Sequence, residues 1–302
     1  ANNYNVPRLA FVNKMDRIGA DFDKVVNDLK DKLNAPAVPV QLPIGDSDTF
    51  SGVIDLVKMC AYEFSDENMG SDVHIIDIPQ DLAVKAEKAR ANLVEFIADI
   101  DETFLESYME NSDVSSKILK EAIRRATISN EVVPVLVGSS LKNKGVQPLL
   151  DAVIDYLPSP LDIPAVKGKS PKENSNLFRE ASDFEPVTGL VFKMTTDKFV
   201  GKLAFVRVYA GQLKKGMNLY NPRTKKRERI SRLLRLHANH REEVDILYAG
   251  DIGGIVGQKM FTTGDTICAE SDPIMLENIE FPEPVISMAI EPKTTADKDT
   301  LL

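Results

Sequence analysis

Apolar and polar positions along the chain follow two regimes. Up to Leu157, short apolar runs alternate with stretches whose apolar residues recur every three or four positions. The run Leu9 to Val12 stops at Asn13-Lys14-Met15-Asp16 and predicts a buried strand that feeds a polar loop. Residues 20–33 place Phe22, Val25, Val26, Leu29 and Leu33 on one face of a helix. Strand-like runs follow at Val38–Ile44 and Gly52–Phe64, then a helical region from Pro79 to Asn130 with Leu82, Ala86, Ala89, Leu93, Phe96, Ile97 and Ile100 as its first stripe. Val132–Val137 predicts a second buried strand, ending at Gly138-Ser139-Ser140-Leu141. The spacing of Val146, Leu149, Leu150, Val153, Ile154 and Leu157 predicts a helix, with Pro148 in its first turn, where a missing N–H costs little. Both strands read as almost wholly apolar, as strands covered on two faces do.

Residues 158–186 hold five prolines and the polar tract Lys167–Asn176, so 161–186 reads as a linker. Beyond it the period changes to two: Leu203, Phe205 and Arg207 alternate with Ala204, Val206 and Val208. Glycines punctuate the strands at 201, 211, 216, 250, 257 and 264, the pattern of a small all-β barrel over 187–275. Residues 276–302 read as a second linker and the first strand of a further domain.

Composition adds limits. Hydrophobic residues make up 43% and charged residues 27% of 302, an ordinary globular composition with room for two domains. No apolar run is long enough for a membrane helix, and Ala1 to Arg8 lacks the layout of a signal peptide. Two distant cysteines, Cys60 and Cys268, and three histidines fit a reducing compartment and predict no metal site. His237 and His240 stand H-x-x-H without a completing ligand set and read as structural or RNA-facing. Net charge is −9, which alone would argue against nucleic acid. Charge is uneven, however. Glu63–Asp113 holds fourteen acidic and three basic residues, whereas Arg223–Arg241 holds eight Lys or Arg and one Glu. The basic stretch makes Arg227, Arg229, Arg232 and Arg235 candidates for RNA phosphate contact, against the plainer reading of a charged edge strand.

Asn13-Lys14-Met15-Asp16 has the form N-K-x-D, which suits guanine. One ionised carboxylate, Asp16, can accept both the ring N1–H and the exocyclic amino group, while adenine would set a lone pair against it. Asn13 can reach the N7 side and brace neighbouring loops, and the stem of Lys14 can lie along the base. The loop Ser139-Ser140-Leu141 matches the S-A-x loop that accompanies this motif. A backbone N–H at the second position would donate to guanine O6, so Ser140 in place of alanine loses nothing, and Leu141 can cover the base opposite Lys14. Loops at the carboxyl ends of parallel strands converge where ligands bind in α/β sheets.

A phosphate loop of the form G-x-x-x-x-G-K-S/T does not occur. Gly168-Lys169-Ser170 imitates its end, but Ile163 stands where the first glycine belongs and Pro171 follows. Asp251-Ile252-Gly253-Gly254 fits D-x-x-G formally and reads as a glycine-rich turn between strands. The sequence thus offers no catalytic residue, phosphate site or magnesium site.

With both loops placed, the chain resembles the elongation factor G family of translational GTPases along most of its length. The resemblance is carried by Phe11-Val12-Asn13-Lys14-Met15-Asp16-Arg17, Leu42-Pro43-Ile44-Gly45, Gly52–Val57, Lys142–Val153, Tyr156–Pro160, Phe199–Leu203, Arg207-Val208-Tyr209, His237-Ala238-Asn239 and Phe281–Ile286. It implies an internal fragment with this fold: an α/β partial P-loop GTPase domain (1–160) with an α+β insert at about 35–130, followed by an all-β translation-factor barrel. It implies GTP or GDP with magnesium in the intact factor and none bound to this chain. Its implied partners are the ribosome, through ribosomal RNA at the barrel and the stalk protein at the insert, without membrane or DNA. The implied location is bacterial cytoplasm or an organelle matrix. A release-factor or tetracycline-resistance GTPase, or a non-catalytic RNA-binding module, is the alternative.

Overall fold

The computed structural model describes residues 1–276 apart from 66–69, 112–113, 174, 198–200, 238–239 and 258–259, and beyond them 286–289, 291 and 294. The expected start of a further domain therefore lies mostly outside the described residues, as do 199–200, 238–239 and 281–285 of the resembling segments. Two compact units divide the chain, Ala1–Ser159 and Pro160–Leu302.

In chain order the first unit holds β1 (Ala10–Val12), α1 (Phe22–Leu33), β2 (Ala37–Pro39), β3 (Gln41–Ile44), β4 (Gly52–Asp55), β5 (Cys60–Phe64), β6 (Val73–Ile76), α2 (Gln80–Ala98), α3 (Glu102–Glu110), α4 (Ser116–Ile128), β7 (Val133–Val137) and α5 (Val146–Tyr156). Strand β7 is the centre of a parallel sheet with β1 on one side and β2 on the other. All five residues of β7 are buried, but in β1 only Val12 is. An apolar run alone does not separate a central strand from an edge strand.

The run Val38–Ile44 is two strands, because β2 belongs to the parallel sheet and β3 opens a four-stranded antiparallel meander, β3-β4-β5-β6. Val40 is the joint: its N–H donates to Val135 O (3.0 Å), and its carbonyl accepts Leu56 N–H (3.0 Å). Three helices start on side-chain caps, which satisfy otherwise unpaired amides. Asp21 accepts from Lys24 N, Asp101 from Phe104 N and Ser115 from Ile118 N. Helices α2, α3 and α4 bury Ala86, Leu93, Ile97, Phe104, Leu119 and Ile123 in one core with β7.

The second unit holds β8 (Val166–Lys169), β9 (Asn176–Arg179), β10 (Thr188–Asp197), β11 (Gly201–Ala210), β12 (Leu213–Lys214), β13 (Asn218–Asn221), β14 (Lys226–Arg229), β15 (Arg232–His237), β16 (His240–Val244), β17 (Ile246–Leu247), β18 (Ile252–Val256), β19 (Thr266–Cys268) and β20 (Met275–Leu276). Eight form one antiparallel sheet, ordered β14-β13-β19-β10-β11-β18-β15-β16. Leu219 near one end of that order and Leu233 near the other share a core with Val191, Val206, Ile255 and Ile267. The sheet therefore curls around a single interior.

Two expectations are corrected in this unit. The tract 161–186 is not simply a linker: β8 and β9 pair as a hairpin, and β20 joins β8. Val166 and Leu177 pack there against buried Cys268, Ile274 and Leu276. So few apolar residues among prolines and lysines hid the alternation. Gly253 and Gly254 lie inside β18, not in a turn. A Cβ on Gly253 would sit 2.4 Å from Leu247 Cδ1 and 2.9 Å from Leu234 O, so close packing requires glycine there.

An ion pair pins the end of the barrel before β19. Asp265, with its side chain 1% exposed, accepts from Arg223 Nε (2.6 Å) and Nη2 (3.1 Å) and from Thr262 N (2.8 Å). Burial pushes its carboxyl up, but Arg223 and Thr262 outweigh that and hold it below the usual range. Asp265→Ala should destabilise this unit by about 1–3 kcal/mol, since it removes the buried acceptor shared by Arg223 and the Thr262 N–H. Because the folded pKa is depressed, the contribution of Asp265 is present above the unfolded aspartate range. It is lost as pH falls through the lower folded value. Urea denaturation of both proteins from neutral to acid pH should show the gap closing; a gap independent of pH would exclude the ion pair as its source.

Candidate functional site

The site is built where β1 and β7 end side by side. Their register, Val12 against Val137, brings the two following loops level. Gly138 N–H donates to Val12 O (3.0 Å), and Met15 N–H donates to Gly138 O (3.2 Å), lacing the loops at the backbone.

Side chains complete the lacing. Ser139 Oγ–H donates to Asp16 Oδ1 at 2.6 Å. Asn13 Oδ1 accepts from Ser140 N (2.9 Å), Ser140 Oγ (3.1 Å) and Lys14 N (2.8 Å). Lys14 adopts a left-handed φ of 67°, which turns the chain between Asn13 and Met15. The Ser139 hydroxyl is the main reason that the Asp16 carboxyl lies below its usual range, with smaller help from Arg17 and Lys142. Asp16 is therefore an ionised acceptor at neutral pH, fixed through one oxygen. Its Oδ2 is 3.9 Å from Arg17 Nε, a long contact, and the Asp16 side chain is 13% exposed.

The Ser140 N–H, expected to meet a base carbonyl, donates to Asn13 Oδ1 in this structure. Among the described residues the Leu141 N–H makes no hydrogen bond. Leu141 is 73% exposed, while Ser139 is fully buried. Lys14 stands in solvent on the first loop.

Sequence reasoning passed over the residues that hold these loops. Met15, the wildcard of N-K-x-D, is 2% exposed and anchors the loop in the core. Its carbonyl accepts Ser47 N–H at 2.7 Å. Lys144 exchanges backbone hydrogen bonds with Ser139 (2.8 and 3.0 Å), and its Nζ donates to Phe50 O. An apolar residue inside a polar loop was the one signal that could have singled out Met15.

The basic stretch of the barrel divides between two strands. Arg227 and Arg229 lie on β14, at one end of the sheet order, whereas Arg232 and Arg235 lie on β15, between β18 and β16. Arg227 pairs with Glu270 (2.6 Å), and Arg229 Nε–H donates to Gly216 O (3.2 Å). His237 and His240 face each other across the β15–β16 hairpin.

Residues 1–159 match the family described as Elongation factor Tu GTP binding domain. The chain belongs to that family. Residues 186–270 match Elongation factor G domain 2, which places a GTP-binding domain before a β-rich second domain. The fold also resembles a crystal structure of a protein from Thermus thermophilus, with a TM-score of 0.78 and 26% identity over all of this chain. The chain spans 42% of that protein's length. Within the GTP-binding domain, Asn13–Asp16 and Ser139–Leu141 fall near its two ends in sequence and meet at one point in space.

Proposed function

We propose that these two loops form the base-recognition half of a guanine-nucleotide site in a ribosome-dependent translational GTPase of the elongation factor G type. The observation that carries this reading is the 2.6 Å hydrogen bond from Ser139 to Asp16. It holds an ionised carboxylate between the two loops, with its second oxygen making only a 3.9 Å contact to Arg17. Guanine brings two adjacent donors to that carboxylate, a charge-assisted pair. The Asn13 amide group can donate to N7 once its carbonyl is committed to Ser140. The Leu141 N–H can donate to O6. Phosphates and magnesium would be held by parts of a GTPase that these residues do not supply.

In an intact factor of this type, GTP drives movement of transfer RNA and messenger RNA through the ribosome, in bacterial cytoplasm or an organelle matrix. Ribosomal RNA phosphates are the partner chemistry for Arg232 and Arg235, since Arg227 is already paired. The ribosomal stalk protein is the proposed partner of the insert.

Amide spectra of the 302-residue chain test the base reading. GDP at millimolar concentration should shift Asn13–Asp16 and Ser139–Leu141, ADP should not, and Asp16→Ala should abolish the GDP response. Equal shifts with ADP would remove guanine selectivity from the site.

A further inference from the structure

Away from the nucleotide loops, the second unit has a partly open cavity of about 120 Å³ beside β8 and β11. Its walls are largely apolar, with Ile163, Val166, Val208 and Tyr209 among them. Two arginines, Arg179 and Arg207, also line it. Arg179 is 7% exposed. Its Nη2 pairs with Asp272 at 2.7 Å, and its Nη1–H donates to Phe178 O, but its Nε–H is buried without an acceptor. Arg207 has no carboxylate partner among the described residues. Its guanidinium stands 5.8 Å from the ring centre of Tyr209, and its Nε–H is likewise buried without an acceptor.

Buried charged donors without acceptors are costly and uncommon. Of the two arginines only Arg179 has a carboxylate, Asp272, which is half exposed and not part of the cavity wall. One positive charge and two N–H groups are left over. The apolar remainder of the wall would gain from contact with apolar atoms and gains nothing from a hydrated ion.

We propose that this cavity is a binding site for a small organic carboxylate with a compact apolar body. The carboxylate would take the Nε–H groups and neutralise Arg207, in the planar two-oxygen geometry that guanidinium groups favour. The apolar body would lie against Ile163, Val166 and Val208. An inorganic oxyanion would satisfy the arginines but would leave the apolar wall against a hydrated surface. The cavity lies wholly within the barrel unit, so this inference stands apart from the guanine reading.

The test is an NMR titration of the full 302-residue chain, following the arginine Nε–H resonances. The probes are isovalerate, its neutral amide isovaleramide, and inorganic phosphate. Isovalerate should shift two Nε–H signals saturably, isovaleramide should not, and phosphate should bind about tenfold more weakly or worse. Arg207→Gln should weaken isovalerate by about tenfold or more, and Arg207→Lys, which keeps charge without the fork, by an intermediate factor. A thermal melt of each variant checks folding; should Arg207→Gln not fold, the lysine variant decides by the same criterion. Absence of a saturable shift, equal binding of the amide or of phosphate, or unchanged affinity in the folded variant would each overturn the proposal.

Discussion

The purified 302-residue chain should bind GDP no more tightly than about millimolar, and should not hydrolyse GTP. On the proposed reading, base recognition at the two loops amounts to a bidentate contact at Asp16, one donor from Asn13 and one from Leu141. A millimolar constant corresponds to about 4 kcal/mol, which a few such bonds can supply once the cost of immobilising the nucleotide is met. In GTPases much of the affinity comes from the phosphates, through backbone amides, a lysine and magnesium. The sequence contains no G-x-x-x-x-G-K-S/T loop to provide them. Gly168-Lys169-Ser170 cannot substitute, because Gly168 and Lys169 belong to β8 and no helix follows. Hydrolysis further requires groups that orient a water and offset charge developing on the γ-phosphate, and the two loops offer neither. Calorimetry with GDP and magnesium is the measurement. Micromolar binding would mean that a phosphate site exists within these residues, and the base-only reading would fall.

The two loops were legible in the sequence because their chemistry depends on side chains with few substitutes. A carboxylate is needed for two adjacent donors, an asparagine for its mixed donor and acceptor ends, and both follow apolar runs. What supports them was less legible. Met15 works through its burial, and Lys144 through backbone bonds that many residues could make. The β8–β9 hairpin was hidden because its stability comes from Cys268, Ile274 and Leu276, about a hundred residues away. Gly253 and Gly254 suggested a turn, since a sequence does not distinguish glycine chosen for conformation from glycine chosen for space. The basic stretch divides between two strands. Nearness in sequence is not nearness on a face once a chain passes from β14 to β15 and its strands alternate sides.

Gly138→Val should separate the two loops and destabilise the first unit by about 4–6 kcal/mol, the sum of overpacking and the hydrogen bonds it breaks. A Cβ at Gly138 would lie 2.4 Å from Lys144 O and 2.7 Å from Phe11 Cζ, both closer than real contacts allow. Neither neighbour can yield easily. Lys144 O accepts the Ser139 N–H at 2.8 Å, and Phe11 belongs to β1, whose register with β7 sets the site. Relief must come from moving the backbone after β7 away from β1. That movement breaks the bonds from Ser139 to Asp16 and from Ser140 to Asn13, together with Met15 N–H to Gly138 O. Overpacking costs about 1–3 kcal/mol, and each lost hydrogen bond adds about 1 kcal/mol. Against the roughly 5–15 kcal/mol typical of a folded domain, such a loss is large. Gly19→Val is the control: its φ of 82° strains any side chain, but no atom lies within 4 Å of the added Cβ. That control should cost only about 1–2 kcal/mol. Urea denaturation of the full chain should show the first unit's transition moving much further for Gly138→Val than for Gly19→Val, with the barrel's transition unmoved. The Asp16 carboxyl should also return toward its ordinary range in Gly138→Val, as the Ser139 hydroxyl leaves it. A Gly138→Val protein no less stable than the control, with Asp16 unchanged, would mean that close approach at Gly138 does not hold the loops together.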